Sequence, residues 1–180
     1  MKNIVVITGS PRKNGNSDRM ANAFIKGAAQ NGHQLTKIVA ADLHIQGCKA
    51  CDACYSTGKP CIFEDDFNKI APALLAADAI VFATPLYWFT FPEQIKAVID
   101  RFYALLRGTT PFKGNKECAL LVCGADEKEN FDGIVKTYEI MADYLGWTNR
   151  GVVIAPEVSE KGAIEGSAAL TEAKELGERM

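Results

Sequence analysis

The segment IVVITGSPRKNGNS, residues 4–17, joins a short apolar run to a loop rich in glycine, asparagine and serine. Residues 4–8 contain no charge and are rich in β-branched side chains, which is typical of a strand buried on both faces of a parallel sheet. Residues 17–31 follow with apolar side chains at intervals of four, which predicts a helix that buries one face. A buried strand, a polar loop and a helix in this order favour an α/β fold.

The same alternation continues along the rest of the chain. Further strands are predicted at 35–40, 79–84, 117–123 and 151–154, and further helices at 92–106, 131–145 and 167–180. Asp65 and Asp66 are expected to cap one more helix, which begins at Phe67. We therefore predict one domain over residues 1–180, a three-layer, doubly wound α/β fold with a five-stranded parallel sheet. Ligands of such sheets bind beyond the carboxyl ends of the strands, so the site is expected in the loops after the first, third and fourth strands.

The charge balance argues against several classes of partner. The 180 residues include 20 lysines and arginines and 22 aspartates and glutamates, which leaves a net charge of −2. A charge so close to neutral does not favour nucleic acid or an anionic membrane as a partner. The apolar run at the N-terminus is too short for a secretory signal, and no run is long enough to span a bilayer. We therefore expect a cytoplasmic protein with reduced cysteines.

The loop after the first strand has the chemistry of a phosphate site. Free backbone N–H groups and the positive end of the helix dipole favour an anion at the start of a helix. Ser10, Asn16 and Ser17 add side-chain donors, and Arg12 carries a guanidinium suited to phosphate oxygens. The spacing of a Walker A loop and that of a dinucleotide-binding loop are both absent. The alternative is a polar turn that Ser17 or Asn16 caps without any ligand.

The loop after the third strand is unusually aromatic. Residues 84–92, TPLYWFTFP, carry four aromatic side chains within five positions. Rings of this size are costly to leave in water, so they must cover a flat cofactor, a subunit interface or the protein's own core. A phosphate loop and an aromatic loop on neighbouring strands together indicate a mononucleotide with an extended aromatic ring.

Two motifs resemble a known family: GSPR at 9–12 with Asn16-Ser17, and TPLYW at 84–88. They are similar to the NADPH-dependent FMN reductase branch of the flavodoxin-like flavoproteins. The resemblance implies a flavodoxin-like sheet with strand order 2-1-3-4-5 and hydride transfer from NAD(P)H through bound FMN to a flavin, quinone or nitro- or azo-aromatic acceptor. It also implies homodimers or homotetramers. The residues that it implies for FMN are Ser10, Arg12, Asn16 and Ser17 at the phosphate, Pro85, Leu86, Tyr87 and Trp88 at the ring, and Gly124 and Asp126 at its far edge.

Four of the six cysteines lie within fourteen residues, at Cys48, Cys51, Cys54 and Cys61. This compact motif resembles that of the iron–sulfur flavoproteins, which implies a 4Fe-4S cluster on these four cysteines that passes electrons between ferredoxin-like partners and FMN. Free or redox-active thiols are the main alternative. A zinc site is less favoured because zinc ligands usually come as pairs across a longer gap. Cys118 and Cys123 alternate with apolar residues on a predicted strand and are expected in the core.

Overall fold

The computed structural model describes residues 1–180, in which five parallel strands form one central sheet. The strands are β1 (Asn3–Thr8), β2 (Gln34–Val39), β3 (Ala79–Pro85), β4 (Glu117–Cys123) and β5 (Thr148–Ala155). The helices are α1 (Asn16–Gln30), α2 (Phe67–Ala76), α3 (Glu93–Asp100), α4 (Phe102–Leu105), α5 (Asp132–Leu145) and α6 (Ala168–Glu178). None of these helices combines the length and the apolar character needed to cross a membrane.

The sheet has the order β2-β1-β3-β4-β5, which confirms the predicted topology. β1 lies between β2 and β3 and pairs with both in parallel. The chain therefore runs outward from β1 to β2 and then crosses back to β3, so the strand order reverses beside β1. In open α/β sheets this reversal leaves a crevice at the carboxyl ends of the strands. The loops after β1 and β3 border that crevice.

Helices cover both faces of the sheet and complete the three layers. Alternate side chains of a strand point to opposite faces, and β1 follows this rule: Val5 and Ile7 belong to one buried cluster, whereas Ile4 and Val6 belong to the other. The first cluster includes side chains of α2, α3, α4 and α5. The second includes side chains of α1 and α6. The β1 segment that predicts the fold is thus buried on both faces.

The helix predicted at 92–106 is interrupted at Arg101, where α3 ends and α4 follows. The Arg101 side chain is 1% exposed and forms an ion pair with Asp65, at 2.8 Å between Nη1 and Oδ2. The predicted helix cap at Asp65 and Asp66 is therefore only partly present. Asp65 Oδ1 accepts a hydrogen bond from the backbone of Phe67, but Asp66 accepts one from the backbone of His44 and does not cap α2 with its side chain. The two carboxylates thus link the segment after β2 to the helices, Asp66 through His44 and Asp65 through Arg101.

The strand predicted at 151–154 begins three residues earlier, as β5. Residues 148–150 are polar and exposed, so they lack the apolar pattern by which a buried strand is identified in a sequence. They nevertheless belong to β5, the edge strand that pairs with β4.

Helices α1 and α6 touch through their backbones. A methyl group added at Gly27 would lie 2.0 Å from the carbonyl oxygen of Lys174, and one added at Gly177 would lie 2.2 Å from that of Phe24. Any side chain larger than hydrogen would force the two helices apart. The Asn31 amide extends this contact by donating a hydrogen bond to the Glu178 carbonyl at 2.7 Å. The C-terminal helix is thus fixed directly against the helix that follows β1.

Candidate functional site

A cleft of about 230 Å³ opens at the carboxyl ends of β1, β3 and β4. The residues implied for FMN line this cleft, with the single exception of Trp88. Backbone hydrogen bonds join the loops around it: Leu86 N–H donates to the Cys123 carbonyl at 2.7 Å, and Val158 N–H donates to the Gly124 carbonyl at 2.8 Å. The walls of the cleft are therefore connected to one another and not only to the sheet.

The start of α1 leaves three backbone donors open. The N-cap residue is Gly15, and no side chain caps the helix, so the alternative of a turn capped by Ser17 or Asn16 is wrong. The N–H groups of residues 16–18 precede the first intrahelical hydrogen bond and have no backbone acceptor. Together with the helix dipole they make this end of the cleft a site for an anion.

Arg12 stands at the same end of the cleft with an unengaged side chain. Its backbone is fixed, because its N–H donates to Ser10 Oγ at 3.1 Å and its carbonyl accepts from Gly15 N–H at 2.9 Å. The guanidinium is exposed and has no hydrogen-bond or ion-pair partner in the protein. An ordered loop that carries a free guanidinium is suited to binding a phosphate.

The structure corrects the role expected for the Asn16 side chain. Its amide donates to the carbonyls of Val158 and Glu160, at 3.2 and 2.9 Å, and its oxygen accepts from Gly162 N–H at 2.9 Å. These contacts use both hydrogens of the amide group. Asn16 therefore holds the segment 158–162 against the cleft, and only its backbone N–H remains for an anion.

The segment 158–161 is a wall of the cleft that the sequence analysis missed. Val158, Ser159 and Lys161 line it, and the exposed Lys161 ammonium has no ion-pair partner. A signal for it existed: β5 neighbours β4, so the loop after β5 reaches the same edge of the sheet as the loops already considered. This wall adds a second free cation near Arg12.

The aromatic loop divides into two parts. Pro85, Leu86 and Tyr87 line the cleft, whereas Trp88 does not and is 92% exposed. The reason is a tight hairpin: Tyr87 and Thr90 exchange two backbone hydrogen bonds, at 3.1 and 3.0 Å, which turns the two residues between them outward. The expected place of Trp88 at the ring is therefore not supported within a single chain.

The hairpin tip has an unusual backbone conformation. Trp88 and Phe89 have φ angles of +47° and +62°, in the left-handed region. Side chains other than glycine, asparagine and aspartate rarely adopt this region, since it costs roughly 1–2 kcal/mol per residue. Two consecutive aromatic residues there are conformationally expensive and also exposed.

Cys123 lies at the end of β4 and forms part of the floor of the cleft. It is 3% exposed, which confirms the predicted core position. Burial raises the pKa of the Cys123 thiol to about 12, although a hydrogen bond with Ser17 opposes this shift. The thiol is therefore neutral at physiological pH and supplies a small apolar surface rather than a nucleophile.

The four clustered cysteines line a second, small cavity at the side of the molecule. All four are free thiols: Cys48 and Cys51 are exposed, Cys54 is partly buried and Cys61 is buried. Burial and the nearby thiols of Cys61, Cys48 and Cys51 raise the pKa of the Cys54 thiol.

The four cysteines offer the donor atoms of a metal site. No three histidine, cysteine, aspartate or glutamate side chains in the structure lie close enough together to hold one metal ion. In a 4Fe-4S cluster each iron takes one cysteine, so the four thiols surround a larger group and stand further apart. Four thiols around one cavity fit that donor set.

The chain is similar to known proteins over most of its length. Residues 2–156 match the family model of NADPH-dependent FMN reductases. The chain belongs to the NADPH-dependent FMN reductase family. It is thus an FMN-dependent oxidoreductase that uses NAD(P)H. The three donors at the start of α1 and the free Arg12 guanidinium fit the phosphate of this cofactor.

Individual relatives of this FMN reductase family member are of two kinds. It is 30% identical over 161 residues to an iron–sulfur flavoprotein of Methanosarcina thermophila. The alignment covers 89% of this chain and 81% of that protein. An azoreductase structure from Bacillus anthracis superposes on all of both chains with a TM-score of 0.77 and 18% identity. An NAD(P)H:quinone oxidoreductase structure from Methanothermobacter marburgensis, at 17% identity, gives a TM-score of 0.71 over 98% of this chain and 94% of that one. Both structures show the shared fold.

Proposed function

We propose that FMN binds in the cleft with its phosphate at the start of α1. Ser10, Arg12 and the backbone N–H groups of Asn16 and Ser17 would hold the phosphate, as the family resemblance implies and as their free donors support. The observation that carries this proposal is the uncapped helix end beside the free Arg12 guanidinium. An anion there gains hydrogen bonds and loses no competing protein contact.

The other walls of the cleft would hold the flavin ring. Pro85, Leu86 and Tyr87 lie on one side, and Gly124 and Asp126 line the far edge. FMN supplies the redox chemistry by accepting a hydride from NAD(P)H and passing electrons to the acceptor. The chain's own residues orient the ring and limit access of water, and no acid–base residue is needed. We propose a flavin, a quinone or a nitro- or azo-aromatic compound as acceptor, because a cleft open on one side discriminates poorly among flat molecules.

A second proposal concerns the four clustered cysteines. Four free thiols around one cavity, in a chain related to an iron–sulfur flavoprotein, support a 4Fe-4S cluster on Cys48, Cys51, Cys54 and Cys61. Such a cluster would supply one-electron transfer between a ferredoxin-like protein and FMN. Thiols of this kind persist in reducing compartments, which supports the cytoplasm as the location.

One experiment tests both proposals. Protein purified without oxygen is expected to show flavin absorption bands that bleach when NADPH is added, because the hydride reduces the flavin. Iron and sulfide analysis of the same sample is expected to give about four irons per chain if the cysteines hold a cluster. A colourless protein that cannot be reconstituted with FMN would contradict the first proposal. Absence of iron after anaerobic reconstitution would contradict the second and leave the first intact.

We also propose that the Trp88–Phe89 hairpin mediates a homodimer or homotetramer. Asparagine tolerates the left-handed region, so Trp88→Asn is expected to leave the free chain as stable or about 1 kcal/mol more stable. The same change removes the exposed indole and is expected to weaken self-association. Sedimentation equilibrium and urea unfolding measure the two effects. Ile140→Gln, which alters an exposed apolar residue on α5, serves as the control, and unchanged association of the Trp88 variant would refute the interface.

A further inference from the structure

Arg101 is a buried cation at the junction of α3 and α4. It is the largest of the side chains that are almost fully buried. Its guanidinium forms two hydrogen bonds with Asp65, at 2.8 and 3.1 Å, and a third with the Gln46 carbonyl at 2.8 Å. It also lies over the ring of Phe67, at 4.8 Å from the centroid. These contacts fix the position of the guanidinium.

One nitrogen of this guanidinium has no partner. Arg101 Nε is buried and makes no hydrogen bond. Leaving a buried donor unsatisfied costs about 1–3 kcal/mol, and more when the group is charged. Such an orphaned donor beside a buried ion pair calls for an acceptor that the protein itself does not supply.

The cavity next to Arg101 is the one that the four cysteines line. Two other charged side chains border it, Lys49 and Asp52, and both are exposed to solvent. Lys49 lies over the ring of Phe63, at 4.8 Å from its centroid. Arg101 is therefore the one buried charge at this cavity, where solvent screens it least.

We propose that Arg101 donates its Nε–H to a sulfur of the cluster and, with Asp65, sets the cluster's reduction potential. This inference rests on the proposed 4Fe-4S cluster. Sulfur atoms of a cluster accept hydrogen bonds, and such bonds together with local charge are main determinants of its potential. Reduction adds negative charge, so a buried N–H donor and a positive guanidinium favour the reduced form and raise the potential. The carboxylate of Asp65 partly offsets that effect.

Two substitutions separate these contributions. Arg101→Lys keeps the positive charge but removes Nε–H, and it is expected to lower the ratio of reduced to oxidised cluster about tenfold at a fixed potential, a shift of about 59 mV for one electron. Asp65→Asn removes the opposing charge and is expected to shift the potential in the other direction. A merely structural role of the ion pair would change iron content or stability in both variants without opposite shifts in potential.

The measurement is a redox titration of the reconstituted full-length protein, followed by electron paramagnetic resonance of the reduced cluster. Arg107→Lys is the matched control, because Arg107 is exposed and does not line the cavity. Its potential is expected to equal that of the wild type. If Arg101→Lys does not fold, pulsed electron paramagnetic resonance of the wild-type protein, with ¹⁵N at the arginine Nε, decides the question: coupling of this nitrogen to the reduced cluster supports the hydrogen bond, and no coupling overturns it.

The outcomes separate this inference from the proposal on which it depends. A wild-type protein that takes up no iron overturns both. A wild-type protein that holds about four irons per chain, with variants that keep its potential, overturns the role of Arg101 and leaves the cluster in place. Opposite shifts in the two variants support the assignment.

Discussion

Replacing Arg12 with alanine is expected to weaken FMN binding about 10- to 100-fold, because charge-assisted hydrogen bonds contribute about 1.5–3 kcal/mol. The guanidinium is free in the protein, so its removal costs the fold no contact. Riboflavin has the same ring system but no phosphate, and its affinity is expected to stay nearly unchanged. Titration of each flavin into the apoprotein, followed by flavin fluorescence, measures the difference.

Lys13→Ala is the matched control for this experiment. Lys13 is an exposed cation of the same loop but does not line the cleft. Its removal lowers the net charge by the same amount as Arg12→Ala does. It is expected to change FMN affinity only slightly, by a screened long-range effect. Equal losses for FMN and riboflavin in the Arg12 variant would show that the loop does not bind the phosphate.

Replacing Gly177 with alanine is expected to destabilise the protein by about 1–3 kcal/mol, as overpacking does in a dense interior. In an isolated helix the same change would stabilise by about 1 kcal/mol. The sign is reversed here because the new methyl group would meet backbone atoms, 2.2 Å from Phe24 O and 2.8 Å from Ala28 N. Neither atom can rotate away, so α1 and α6 must separate. The midpoint of urea unfolding measures the loss.

Gly27→Ala is also expected to destabilise the protein, since it adds a methyl group to the same helix–helix contact from the α1 side. Gly47→Ala is the control, because Gly47 has no atom within 4 Å of the added carbon. A Gly177 variant as stable as the Gly47 variant would show that the two helices do not approach as closely as described.

The sequence alone predicts those strands that are buried along nearly their whole length. β1, β3 and β4 are buried along nearly their whole length, so their apolar runs identify them. The break at Arg101 is not evident from the local apolar pattern, and the side chain at the break pairs with Asp65, 36 positions earlier in the chain. The polar first residues of β5 were missed for a related reason: only pairing with β4 makes them a strand.

In the candidate site, too, the sequence predicts what depends on local residue chemistry and misses what depends on contacts between distant residues. The loops after β1, β3 and β4 were predicted because residue chemistry and strand order suffice to place them at one edge. The segment 158–161 carries no recognisable motif and gains its place from Asn16, more than 140 positions away. Aromatic character alone also did not reveal that Trp88 turns away from the cleft, since that depends on the backbone pairing of Tyr87 with Thr90.

The C-terminal part of the chain ties cofactor affinity to folding. The family match ends at residue 156, yet the segment 158–161 closes the cleft and α6 holds α1, whose first turn provides the phosphate donors. A ligand that binds only the closed arrangement stabilises it in proportion to the logarithm of its concentration. With FMN in the proposed site, bound flavin and the docked end of the chain would belong to one equilibrium, in which detachment of α6 would release the cofactor and saturation with the cofactor would oppose detachment.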